Sequence, residues 1–334
     1  MLVAFALTDL IPFLEKYENS GDIYFQASIQ GSSIKGNKPL IEADFGASED
    51  FLENPKKDKK IDQIGFKGYF TNGAKRDAST MEFTLQDLTA NIDNGKFAGS
   101  LLIKNFESPE VDMEIESNFN LGFIADYLEL EQVQGASGEV ALKMNFHDII
   151  DIDAPEKALQ KLNQAYFAQL TVKDLSLNAA NLAVPIDNLN VNLIMNGKEA
   201  ELQKFDLVMG NSDLSMIGFL SDLPSVVHHT NIPVEVHVGI SSNFVDITQL
   251  TEYSEKDSIQ KGIDKQIEDL SLGLSFKASA RDFTESKYLP KGEFFIDSLF
   301  ADLKHYPHSI HDYHADVLID SLNLKILDFS GYYR

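Results

Sequence analysis

The chain has 334 residues, 43% hydrophobic and 24% charged, with 23 Phe and 11 Tyr; that length and hydrophobic content can bury a large core and exclude intrinsic disorder. With 28 Lys plus Arg against 52 Asp plus Glu, a formal charge of −24, the overall balance argues against nucleic-acid binding, whose phosphate contacts need clustered cations, and against simple electrostatic adhesion of the whole chain to an anionic bilayer. There is no cysteine, which removes disulfides, thiolate metal sites and cysteine nucleophiles together.

The first apolar run, Leu2 to Leu7, is too short to span a bilayer and has no basic residue before it. Asp9 to Glu18 predicts two helical turns, capped by Asp9 with Pro12 in the first turn. Ile23, Phe25, Ala27 and Ile29 then alternate with Tyr24, Gln26 and Ser28, the period of two of a strand with one apolar face. Asn54 to Lys60 reads as a charged, solvated turn. Met81, Phe83 and Leu85 alternate with Glu82, Thr84 and Gln86, and Asn72-Gly73 and Asn94-Gly95 are tight-hairpin signals. Val111 to Glu116 leads into Ser117-Asn118-Phe119 and a helical run, Leu121 to Leu130. Val140, Leu142, Met144 and Phe146 form the next apolar parity, and Asp148, Asp151 and Asp153 read as capping and solvating carboxylates. The strongest helix candidate is Asp153 to Gln169, with Leu159, Leu162, Tyr166 and Phe167 on one face.

The second half repeats the pattern. Leu189, Val191, Leu193 and Met195 precede another hairpin signal, Asn196-Gly197. Val234 to Ile240 leads into Ser242-Asn243-Phe244 and a helix-like run, Val245 to Tyr253, and a proline precedes each copy (Pro109, Pro233). Ser254 to Asp269 has helical propensity and a thin stripe of Ile259, Ile263 and Ile267; Leu270, Leu272, Leu274 and Phe276 alternate after it, and Leu322, Leu324 and Ile326 close the series. A repeated supersecondary unit points to an architecture that grows by addition. The expected fold is therefore mainly β: a long, curved antiparallel sheet forming an elongated trough or open β-sandwich, with a few short helices. The strand count is about 18 to 22, at a mean length of about 6 residues. No Gly- or Pro-rich linker divides the chain, so residues 1–334 read as one elongated β-repeat region, with repeat units near 20–185 and 186–334. Both ends read as cuts through a longer protein.

Three stretches carry a resemblance. The first is Lys96 to Phe106, followed by Pro109 and the strand from Val111. The second is Val172-Lys173-Asp174-Leu175-Ser176-Leu177, followed by Pro185-Ile186-Asp187-Asn188-Leu189. The third is Phe205 to Gly218, with its phrase of strand, Gly, small polar residue, Asp-Leu, strand and Gly. Together they resemble the AsmA-type, TamB-related proteins of bacterial envelopes, over roughly residues 20 to 330. The resemblance implies a periplasmic β-groove, anchored in the inner membrane by an N-terminal helix that this chain lacks. It also implies that the groove carries phospholipid acyl chains and supports intermembrane lipid transport or outer-membrane biogenesis, with envelope membrane proteins as possible partners.

The alternation supplies the candidate lining: Phe83, Leu85, Leu101, Ile103, Val111, Met113, Ile115, Leu142, Met144, Val191, Leu193, Leu207, Met216, Val236, Val238, Leu272 and Leu274. The same residues suit the core of a closed β-sandwich, so a structural or adhesive protein without ligand is the alternative reading. A polysaccharide-binding module is a third, but the aromatics sit among aliphatics on the buried parity. His305, His308, His311 and His314 recur every third residue, yet Pro307 interrupts them and the flanks read as strands, so no metal site is assigned. No nucleophile elbow, phosphate loop, dinucleotide fingerprint or zinc-protease helix is present. An enzyme is not expected, nor is any cofactor.

Overall fold

The computed structural model describes residues 16–32, 34, 36–130, 132–149, 167–179, 182, 184–227, 229–247, 253–255, 258–260, 266–285, 291–303, 308–320 and 323–333. The chain divides into two compact units, residues 1–130 with 139–168, and residues 131–138 with 169–334. The fold is mainly β and antiparallel, with a few short helices. Within each unit the hydrogen-bonded strands follow one another in chain order, apart from a separate two-stranded hairpin in the second.

The first unit holds β1 (Glu18–Gln30), β2 (Leu40–Asn54), β3 (Lys59–Thr71), β4 (Glu82–Ile92), β5 (Gly95–Lys104) and β6 (Glu110–Asn120). A short helix α1 (Leu121–Tyr127) follows, then most of the long strand β7 (Val133–Ile149). Asn120 caps α1 by accepting from Phe123 N at 3.2 Å, so the helix predicted over 121–130 forms at its start and stops at Tyr127. The second unit takes the first residues of β7, then β8 (Phe167–Ala179), β9 (Ile186–Asn196), β10 (Glu199–Met209), β11 (Ser212–Leu220) and β12 (Pro233–Asp246). The hairpin of β13 (Tyr253–Glu255) and β14 (Ser258–Gln260) comes next, then β15 (Gln266–Ser279), β16 (Gly292–Leu303), β17 (Ile310–Asp320) and β18 (Asn323–Tyr333). Two short helices, α2 (Leu223–Val227) and α3 (Ala280–Glu285), pack on each other.

The strands are about twice as long as the alternation predicted: β2 runs 15 residues and β15 runs 14. The reason is a recurrent β-bulge. Alternation changes parity within a strand wherever one residue adopts positive φ: Glu49 (54°) in β2, Gln63 (51°) in β3, Asp87 (51°) in β4, Asp174 (48°) in β8, Asp269 (50°) in β15 and Asp312 (48°) in β17. Pairing registers shift beside Glu49, Gln63, Asp87, Asp269 and Asp312, between Leu85 and Leu88 for example. Asp tolerates the left-handed region because its short side chain bonds to nearby backbone. Each slip looks like a strand end in sequence, and a bulge carries the strand through it.

Other expectations need correction. Asn72-Gly73 opens a ten-residue connection with a single 3-10 turn, Ala78–Thr80, because Asn72 is committed elsewhere: its side chain accepts from Ile41 N at 2.8 Å and donates to Pro39 O at 2.9 Å. The run from Ser254 to Asp269 is not helical where described: Ile259 lies in β14 and Ile267 pairs with Val245 inside β15. Most of Asp9–Glu18 and of Asp153–Gln169 lies outside the described residues; Glu18 begins β1, and Phe167 to Gln169 open β8. The helical run from Val245 overlaps the end of β12, and residues 248–252 lie outside the described set.

Candidate binding face

In the first unit, direct cross-strand pairing lines up the apolar parity into rows. Ala27, Ala43, Phe70, Phe83, Ile103 and Val111 face one another across β1 to β6. The next row is Phe25, Phe45, Gly68, Leu85, Leu101, Met113 and Phe146, reaching β7. Beyond the β4 bulge, Leu88, Gly99, Ile115 and Met144 form a third row, and Ser117 faces Leu142 in a fourth. All the predicted lining residues of this unit therefore share one face. Phe45 reinforces it: its ring lies 5.9 Å from Phe83 and 6.3 Å from Phe66, directly over Gly68, where a Cβ would meet the ring.

In the second unit the longest row runs Leu193, Leu202, Gly218, Val238, Leu274, Ile296, Ala315 and Phe329, from β9 to β18 without β13 and β14. Eight strands at about 4.8 Å give a row roughly 34 Å long. Beside it lie Val191, Phe205, Met216, Ile240, Leu272 and Leu299. Val236 faces Leu220 and Phe276, and Phe276 packs edge-on against Phe294 at 4.5 Å. Leu189, Leu207 and Leu214 complete the parity. Here too the predicted lining residues share one face.

Burial describes the state of these faces. Val111 is buried, at 7% exposure, whereas every other predicted lining residue is only half-buried. Apolar neighbours in the same sheet cover their flanks, and among the described residues no second β-layer lies on them. A sheet face of this kind still has apolar area to remove from water.

Short helices close the ends of the faces. In the first unit α1 brings Phe123 and Tyr127 together with Tyr17, and this buried cluster packs on Leu52, Ile61 and Ile92, the last apolar row of β2, β3 and β4. Tyr17 and Tyr127 stack at 4.9 Å. Asn54, 1% exposed, donates to Tyr127 O at 2.8 Å and to Glu129 Oε1 at 3.2 Å. Burial, then the neighbouring Tyr17, pushes the Tyr127 phenol well above its ordinary range, and the bond from Asn54 holds the Glu129 carboxyl below its own. In the second unit, burial is deepest near α2 and α3, where Val234 and Ala280 are fully buried. Arg281 N of α3 donates to Thr230 O at 2.7 Å, and Asp222 Oδ1 accepts from Ser225 N at 2.9 Å.

The opposite parity is polar. In the first unit Lys104 faces both Glu82 and Glu110, Glu116 faces Lys143, and His147 bonds to Asp112. In the second, Lys277 and Glu235 form an ion pair at 2.9 Å. Asp213 ties the start of β11 to the end of β12. Burial would raise its pKa, but bonds from Asn243 N, Phe244 N (2.9 Å) and Asn243 Nδ2 (2.9 Å) outweigh burial and hold its carboxyl below the usual range. In the first unit Asn118, the counterpart of Asn243, makes the tie in the opposite sense: its side chain accepts from Lys96 N of the preceding strand at 2.7 Å. The repeated Ser-Asn-Phe phrase is thus a repeated strand tie. A shallow cleft of about 700 Å³ on this side lies over Gly239 and Gly273.

Of the spaced histidines, His311 packs edge-on to Phe300 at 4.8 Å, and His314 Nε2 lies 3.5 Å from Asp316 Oδ1. His305 lies outside the described residues. Among the described residues no three His, Asp or Glu side chains converge as a metal set. Sequence reasoning missed Phe45, Phe66, Phe70, Phe205, Phe294 and Ile296 as members of the apolar face, since several follow a parity slip. Comparison of the chain with protein-family models, curated proteins and solved structures gives no match.

Proposed function

We propose that this chain is an AsmA-like envelope protein whose apolar β-face binds phospholipid acyl chains and serves lipid movement between membranes, in support of outer-membrane biogenesis. The observation that carries the reading is the state of the face: long apolar rows, half-buried, with no covering layer among the described residues. Burying a CH₂ group on such a surface is favourable by about 0.8 kcal/mol, so a fatty tail is a sufficient ligand. A row of roughly 34 Å exceeds the depth of one leaflet's hydrocarbon, about 15 Å. Its lining, largely aliphatic with scattered Phe, offers no polar group to fix a tail at one position. The polar parity faces water, which suits an aqueous compartment between membranes. No helix among the described residues is long and apolar enough to cross a bilayer.

A closed structural or adhesive β-protein is the competing reading, and it needs a second layer over these rows. Native mass spectrometry of gently purified protein decides between them. Bound phospholipid, together with uptake of a fluorescent fatty acid that Val238→Asp with Leu274→Asp abolishes in a still-folded chain, is the expected result. Lipid-free protein that takes up no fatty acid would end the acyl-chain reading.

A further inference from the structure

The tip of the hairpin between β2 and β3 stands apart in charge. Residues 54–60 contain Lys56, Lys57, Lys59 and Lys60 with only Asp58 between them, whereas no seven-residue window clear of this turn holds more than two Lys or Arg. The turn is built to present them. Asn54 is buried, and it accepts from Lys56 N through Oδ1 at 3.0 Å and from Lys57 N through its carbonyl at 3.2 Å. Lys56, Lys57 and Lys60 are exposed, while Lys59 is half-buried. Two of the ammonium groups sit over aromatic rings: Lys59 Nζ lies 5.5 Å from the Phe123 centroid, and Lys60 Nζ lies 4.1 Å from that of Phe51. Nearby acids do not quench the tip. Glu129 meets Lys56 at 3.5 Å and Glu53 lies opposite Lys60 in the ladder, but Lys57 makes no ion pair among the described residues.

We infer that this lysine turn docks the first unit on the surface of a bilayer containing acidic phospholipid. Charges beyond the Debye length, about 8 Å at physiological salt, are largely screened. The surface therefore feels the turn rather than the net charge of the whole chain. Each lysine brought near an acidic bilayer strengthens binding by about fivefold. The turn also adjoins the end of the apolar face that α1 closes, so docking brings that end to the lipid. Four lysines on one turn are too few for the long phosphate track of a nucleic acid, which leaves the lipid headgroup layer as the fitting partner. The inference goes beyond acyl-chain binding and does not require it.

The test is flotation of the full chain with vesicles of phosphatidylcholine alone or mixed with phosphatidylglycerol, at low and high salt. Binding to the mixed vesicles only, weakening as salt rises, is expected. Lys57→Gln with Lys60→Gln should lower that binding by roughly twentyfold, and the matching Arg pair should retain it. Lys143→Gln with Lys325→Gln, an equal charge change elsewhere, should leave it unaltered. Fatty-acid uptake should be the same in all four, which separates failure here from failure of the acyl-chain reading. Equal binding to neutral vesicles, no binding at low salt, an equal loss in the control pair, competition by inorganic phosphate alone, or lysine-dependent retention of an oligonucleotide would each overturn the inference.

Discussion

Leu274→Ala measures whether the apolar face is open. Leu274 is half-buried in β15, directly between Val238 and Ile296. Truncation removes three carbons, which at about 0.8 kcal/mol each amounts to about 2.4 kcal/mol if water were wholly excluded. Water already reaches part of the side chain, and on an open face nothing above it is left facing a void. The cavity contribution of about 24 cal/mol per Å³ is then absent, and the expected cost is about 1.5 kcal/mol. Beneath a packed layer the same change costs about 3–5 kcal/mol. Long strand arrays need not unfold in one step, so the assay is hydrogen exchange of β15 amides, where local opening is read directly. Exchange should accelerate by about tenfold, since about 1.4 kcal/mol is a factor of ten. Acceleration well beyond a hundredfold would mean that an enclosed cavity had formed, and the open face would be refuted.

Other outcomes follow from single contacts. Asn54→Ala removes the shorter of two bonds to Tyr127 O and leaves the Tyr17 hydroxyl, 3.3 Å away, as its donor, so docking of α1 should weaken by about 0.5–1.5 kcal/mol, read as faster exchange of α1 amides. Gly68→Val should cost about 1–3 kcal/mol in thermal or denaturant unfolding through overlap with the Phe45 ring, and Phe45→Ala in the same chain should relieve much of it. Asp269 stands at φ 50°; Asp269→Gly should be tolerated and Asp269→Val should cost about 1–2 kcal/mol, with the Gly–Val contrast in unfolding midpoint as the check. Asp213 has a lowered pKa in the fold. Its contribution is therefore present above the unfolded carboxylate value and is lost as pH falls through the lower folded value. Acid unfolding of Asp213→Asn should show a shallower pH dependence in that window.

The antiparallel, one-faced character of the fold was legible because period-two alternation is a direct image of the pleat. Phe83 and Leu85, or Val236 and Val238, could be placed on one face without coordinates. Strand length was not legible from a fixed period. Ile267 and Leu270 break alternation across Glu268-Asp269, yet they share β15, because a bulge absorbs one residue there. The same slip in β2 and β3 hid Phe45, Phe66 and Phe70, which became members of the face only through pairing. The phrases Gln86-Asp87-Leu88, Lys173-Asp174-Leu175 and Glu268-Asp269-Leu270 are the available signal: a polar pair ending in Asp, then a resumption of apolar residues on the other parity. The closing helix α1 was half legible. Its cap Asn120 and its residues announced a helix, but its seat on Leu52, Ile61 and Ile92 depends on pairs far apart in the chain.

A wide half-covered apolar face and a charge of −24 belong to one physical solution. Such a face invites association with another copy, and the pairing strand edges at β1 and β18 add a second route, since each has a partner on one side only among the described residues. Exposed Leu324, Ile326 and Phe329 on β18, and Phe25 on β1, make both routes apolar. The net negative charge of the chain opposes encounters between copies at long range, while leaving an uncharged hydrocarbon tail unaffected. The acidity thus discriminates among partners by charge, and a lysine turn at one hairpin is the kind of local exception needed if one encounter, with an acidic surface, is to be favoured over the rest.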